Sequence, residues 1–174
     1  MMAKNYSRAS INVHEGVPAN NVDIVNHTQK LFDFFGSRFP LPYRLSIFVR
    51  KLSFLQDVGI YYPDCSTIGA AWGSHEDYKK FGGASATSAM SRFKLCFERT
   101  LFHELMHASQ YASGRMSHDY FSNIIIWEGK SFPRIVPERM SYEDYLNLPW
   151  EKEAFEKSVQ LHEEYEKIML DEKV

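Results

Sequence analysis

The chain has 174 residues, 44% of them hydrophobic and 15% aromatic, with a formal net charge of −2 at pH 7. This fits one folded domain with a real core, and the near-neutral charge gives no global basic field toward nucleic acid or an anionic membrane. No stretch approaches the ~18 apolar residues of a membrane span, the N-terminus lacks the apolar core of a signal peptide, and Cys65 and Cys96 lack C-x-x-C spacing. The expected setting is therefore the reducing cytoplasm, with free thiols and no membrane partner.

Residues 1–20 show no periodicity and end in Val17-Pro-Ala-Asn-Asn21, which reads as a flexible N-terminal arm leading into a helix cap. Residues 21–174 are expected to form a single domain. Over 22–35, the positions of Ile24, Leu31 and Phe35, flanked by Val25 and Phe32, predict an amphipathic helix ending at Gly36, with His27 on its polar face. After the breaker Phe39-Pro-Leu-Pro42, residues 44–51 predict a strand with Leu45, Ile47 and Val49 on one face. Residues 58–62 and 67–72 are further strand candidates, and Gly69, Ala70 and Ala71 admit close approach of another backbone. Residues 73–90, rich in Gly, Ser, Ala and Lys, read as an exposed loop bordering a substrate groove, with His75 facing solvent.

A helix is predicted over 91–113, where Phe97, Leu101, Leu105, Ala108 and Ala112 form one stripe and Gly114 supplies the stop. Cys96 reads as a small residue packed beneath the histidine face. Beyond it come Ser117-His-Asp-Tyr-Phe121, a strand-like 123–127 and a turn at Glu128-Gly-Lys130. A loop containing Pro133 and Pro137 leads to a last helix over about 150–170, with Pro149 at its first position. Ala154, Ser158, Leu161, Tyr165 and Ile168 make its apolar stripe, and its charge runs form a solvated face.

The chemistry is concentrated in His103-Glu-Leu-Met-His107, an H-E-x-x-H pattern. With 7 His and 14 Glu in 174 residues, roughly 0.02 such matches would arise by chance. On a helix, residues i and i+4 share a face, so both imidazoles can reach one metal ion. Glu104, rotated about 100° from His103, can face a water beside that metal as general base without ligating it. A third ligand is needed. The metzincin continuation fails, because Gln110 and Ser113 stand where it requires Gly and His. An acidic ligand from a second helix then leads, from Glu151 or Glu153. Helix phase favours Glu151, about 60° from Ala154, over Glu153, about 100° the other way toward solvent. His118 is the competing ligand. His118, Tyr120 and Arg134 are candidate oxyanion donors.

His103-Glu-Leu-Met-His-Ala-Ser-Gln110, together with Trp127-Glu-Gly-Lys130 and Tyr145-Leu-Asn-Leu-Pro-Trp-Glu-Lys-Glu-Ala154, resembles small zincin-like metallopeptidases of bacteriophages and bacteria. These are similar in turn to gluzincins, whose second motif has the form E-x-x-A. The resemblance covers about 93–156. It implies zinc on His103, His107 and Glu151, Glu104 as base, and a protein or peptide substrate. It departs at Phe155, where an acidic residue would orient a ligand histidine. A fainter similarity to SprT-like zinc proteases runs through Ser117–Phe121; it would make His118 the third ligand and the enzyme DNA-associated. A zinc-stabilised binding module without catalysis is the non-enzymatic alternative. The expected fold is α+β and zincin-like: a small, twisted, mostly antiparallel sheet packed on the motif helix, the last helix completing the site, and substrate added as a strand.

Overall fold

Strict alternation in residues 44–51 builds the centre of the fold. A computed structural model describes residues 8–13, 21–51, 59–72, 86–133 and 140–171. In chain order its elements are β1 (Arg8–Val13), α1 (Asn21–Gly36), β2 (Arg44–Lys51), β3 (Gly59–Tyr62), a 3-10 turn (Pro63–Cys65), β4 (Thr67–Trp72), α2 (Ala86–Ala112), β5 (Met116–Asp119), β6 (Ile124–Trp127), β7 (Lys130–Pro133), α3 (Tyr142–Leu146) and α4 (Pro149–Asp171). The architecture is α+β with two sheets. Leu45, Ile47 and Val49 of β2 are buried, while Phe48 between them reaches the surface. That period of two turns one face of the sheet into the core.

The larger sheet has the order β1-β2-β4-β3. β1 and β4 both pair parallel to β2, and only β3 runs antiparallel, with Gly59 opposite Ala70 and Tyr62 opposite Thr67. The sheet against α2 is therefore mostly parallel, which corrects the antiparallel expectation. Alternation within a strand encodes which face is buried, not the direction of its neighbours; direction follows from the crossover, here α1 between β1 and β2. Antiparallel pairing dominates only in the separate sheet β5-β6-β7.

The arm expected over 1–20 also needs correction. Residues 8–13 form β1, whose Ala9, Ile11 and Val13 pack on the core while Arg8, Ser10 and Asn12 face outward. Six alternating residues, four of them small or polar, are too weak a pattern to stand out alone, and pairing with β2 supplies the missing stabilisation. The remainder of that arm lies outside the described residues. So does most of the loop expected at 73–90, including His75; its last five residues begin α2 instead. Residues 141–146, expected as loop, hold α3, capped where the Ser141 hydroxyl accepts from the Asp144 amide at 3.1 Å.

α2 packs on β3 and β4 and against α4, and α1 covers β1 and reaches α2. The main core joins Leu31 and Phe35 of α1, Leu45, Ile47 and Val49 of β2, Phe97, Leu101 and Leu105 of α2, and Ala154 and Leu161 of α4. Ala112 and Ile168, the outer members of the two expected stripes, are exposed. Gly114, with φ +72°, ends α2, and its amide reaches Tyr111 O at 3.0 Å. A two-residue turn with positive φ at Glu128 (47°) and Gly129 (78°) joins β6 to β7. A second, smaller core of Met116, Ile125, Trp127 and Trp150 fastens the second sheet to the first turn of α4. That clamp fixes the first turn of α4, which carries Glu151.

Candidate metal centre

From Leu101 to Gln110, α2 is buried on nearly every side except at His103, which is partly open. One face carries His103 and His107 into a cleft of about 850 Å³, a volume suited to a small ligand or peptide segment. Opposite them stands Glu151, on α4 directly after the buried Trp150, whose ring packs on Trp127 at 6.2 Å and Phe132 at 5.3 Å. The two imidazole Nε2 atoms lie 3.0 Å apart, and Glu151 Oε2 lies 3.3 Å from His103 Nε2 and 3.4 Å from His107 Nε2.

Those three distances test the fit of a metal. Bonds of about 2.0–2.1 Å in a tetrahedron put neighbouring ligand atoms about 3.3–3.4 Å apart, close to the observed triangle. Charge-assisted hydrogen bonds would be shorter, about 2.7–2.9 Å. Glu151 Oε2 is buried and makes no hydrogen bond of good geometry. The three residues thus form a group able to hold a metal ion.

Three lone-pair donors aimed at one point repel unless a cation or proton lies between them. Burial opposes a charge on His107, but the adjacent Glu151 carboxylate, the charge of Glu104 and the hydrogen bond to Gln110 outweigh it and raise its pKa to about 9. Burial likewise works against the Glu151 carboxylate, yet the two imidazoles beside it outweigh that and hold its pKa at about 2.

The question left by Phe155 has an answer on α2 itself. Gln110 Nε2 donates to Trp150 O and to Glu153 Oε2, both at 3.0 Å, so its Oε1 must face His107 Nδ1, 2.9 Å away. His107 then carries its proton on Nδ1 and offers Nε2 to the site. Glu153 is not turned to solvent: it binds Gln110 and, at 2.9 Å, Arg115, which also pairs with Glu128. Helix phase puts Glu151 and Glu153 on different sides of α4, but it could not show that Arg115 and Gln110 would fill the space beside Glu153. Phe155 is largely exposed and lines the cleft.

His118 does not join the triangle. It sits on β5, its Nδ1 2.7 Å from Tyr111 OH, and both residues line the cleft. Tyr120 is exposed, and its hydroxyl donates to Asp64; Arg134 lies outside the described residues. Cys96 is exposed rather than packed beneath the histidines. Glu104 is buried and lines the cleft. It owes its place to Gly59 on β3, where a Cβ would stand 2.6 Å from Glu104 Oε1 and 2.5 Å from the Thr100 methyl. Sequence reasoning missed Gly59, Gln110 and Tyr111; the last two sit three and four residues after His107, where side chains meet on a helix.

A second cluster lies away from the cleft. Buried Glu98 on α2 bonds His162 of α4 at 2.8 Å and His27 of α1 at 2.7 Å. His27 is thus an inter-helix partner rather than a solvated polar-face residue. Glu98, His162 and Glu166 are also close enough to hold a metal. Yet Glu98 meets His162 Nε2 while Glu166 approaches Nδ1 at 3.8 Å. One ion binds one nitrogen of a ring, so the arrangement suits a hydrogen-bonded clasp better than a chelate. Comparison with known protein families, characterised proteins and solved structures returned no match.

Proposed function

We propose that the chain is a zinc-dependent peptidase with a zincin-like fold. One observation carries this reading: His103 Nε2, His107 Nε2 and Glu151 Oε2 converge in a cleft that Glu104 also lines. Two imidazoles and one carboxylate suit zinc, whereas calcium and magnesium prefer all-oxygen sites. Zinc held there would supply Lewis-acid activation of a water and of the scissile carbonyl.

The remaining steps belong to the chain. Glu104 accepts a proton from the attacking water and hands it to the departing amine as the C–N bond breaks, leaving a carboxylate and an amine. Gln110 holds His107 in the tautomer that presents Nε2. Tyr111 and His118, hydrogen-bonded to each other on the cleft wall, are the groups that can donate to the carbonyl oxygen as it gains charge. β3 forms the sheet edge and lines the cleft through Gly59, Ile60 and Tyr61, so an extended peptide can lie along it as an added strand. No described helix is long and apolar enough to cross a membrane. The cytoplasmic setting belongs to the same proposal and rests on the two free cysteines.

Metal analysis and a peptide-cleavage assay test the reading together. Purified protein should hold one zinc per chain, His103→Ala should lose it, and Glu104→Gln should keep it while cleaving nothing. A zinc-free wild type would overturn the proposal. Full biological activity in Glu104→Gln would mark a zinc-stabilised binding module instead.

A further inference from the structure

Arg99 stands one helical turn before His103, so Arg99, His103, His107 and Tyr111 follow one another at four-residue intervals along the same face of α2. All four line the cleft. Arg99 differs in its partners from Arg115 and Arg38. Arg115 is paired with Glu128 and Glu153, and Arg38 with Glu164. Arg99 has no carboxylate partner among the described residues, and its Nε is buried without a hydrogen bond. Glu151 is engaged with the two histidines, and Glu104 sits beneath Gly59. Ile60, Leu146, Phe155 and Val159 give the cleft lining an apolar part. Arg99 as a whole is half-buried; a buried donor atom without an acceptor is costly, and partial removal from water strengthens the attraction of a cation for an anion. The guanidinium fork matches a carboxylate in two parallel hydrogen bonds.

We propose that Arg99 is a carboxylate-binding subsite of the cleft, so that the preferred substrate is a peptide with a carboxylate close to the bond that is cut. This deepens the peptidase reading and rests on it. Four residues of helix advance about 6 Å along the axis, and an extended peptide advances about 3.3–3.6 Å per residue. The carboxylate therefore lies within about two residues of the scissile bond. It is either the free C-terminus of the peptide or an Asp or Glu side chain.

The test uses the zinc-loaded full chain and one apolar hexapeptide in matched forms: free C-terminus against C-terminal amide, and Glu against Gln at each position near the cut. Removing the recognised carboxylate should lower kcat/KM about tenfold to a hundredfold in the wild type. In Arg99→Gln the ratio between the matched peptides should collapse toward one, and Arg99→Lys should recover only part of it. A penalty on amidation identifies the C-terminus as the source; a penalty for Gln identifies a side chain. Cleavage that depends on Glu104 but ignores every carboxylate overturns this subsite and leaves the peptidase reading standing. Calorimetric binding of the same peptides to zinc-loaded Glu104→Gln separates the two failures. If no peptide is ever cut, an Arg99-dependent preference for the carboxylate form in binding supports the subsite, and equal affinities overturn it.

Discussion

At the scale of single residues, the candidate centre depends on two residues that are not themselves candidate ligands. Gly59 is required by space rather than by backbone conformation: its missing Cβ leaves the room that the Glu104 carboxylate occupies. Gly59→Ala should displace Glu104 while leaving His103, His107 and Glu151 in place. The expected outcome is a fall of roughly 100-fold in kcat, the cost of misplacing a catalytic group by about 1 Å, with zinc content unchanged by metal analysis. Gln110 acts on the metal instead. In Gln110→Ala the proton on His107 Nδ1 loses its acceptor, and zinc affinity should drop about 10- to 100-fold in a chelator competition. A variant with unaltered affinity would show that the helix alone orients His107.

At the scale of elements, three helices meet at Glu98. His27 brings α1, His162 brings α4, and Lys94 lies 3.6 Å away on α2 itself. Burial raises the pKa of Glu98, but hydrogen bonds from His162 and His27 and the Lys94 charge outweigh it and hold the value at about 2. Because the folded value lies below that of an unfolded carboxyl, near 4.3, the clasp contributes fully above about pH 4.5 and is lost as pH falls toward 2. Denaturant unfolding across that window should show a shallower pH dependence in Glu98→Gln than in the wild type. At neutral pH, Glu98→Ala should cost about 3 kcal/mol, as expected when one partner of a buried ionic network is removed. Parallel pH slopes in wild type and Glu98→Gln would place the acid sensitivity elsewhere.

At the scale of the whole molecule, buried apolar side chains already join α1, α2, α4 and the larger sheet in one core. Zinc should therefore stabilise a fold that already exists. Chelation is expected to lower the melting temperature while preserving the far-ultraviolet circular dichroism. The loss should approach about 4 kcal/mol where free zinc had stood 1,000-fold above its Kd. Collapse to an unfolded chain on chelation would mean that the metal, rather than the core, holds α4 against α2.

Local patterns made part of this visible in the amino-acid sequence. Periodicity marked α1, β2, α2 and α4 within a few residues, because one buried face imposes a repeat of 3.6 or 2 on the side chains themselves. The i, i+4 spacing put His103 and His107 on one face, and helix phase singled out Glu151, since both arguments need only the geometry of a single helix. Strand direction was beyond such reasoning, and so was β1, whose six residues gain their stability from β2. The partners of His27, Glu153 and His118, the room that Gly59 leaves for Glu104, and the unpaired Nε of Arg99 are likewise meetings between elements far apart in the chain. A local repeat can specify which way a side chain faces; what it meets there is decided only when the elements pack.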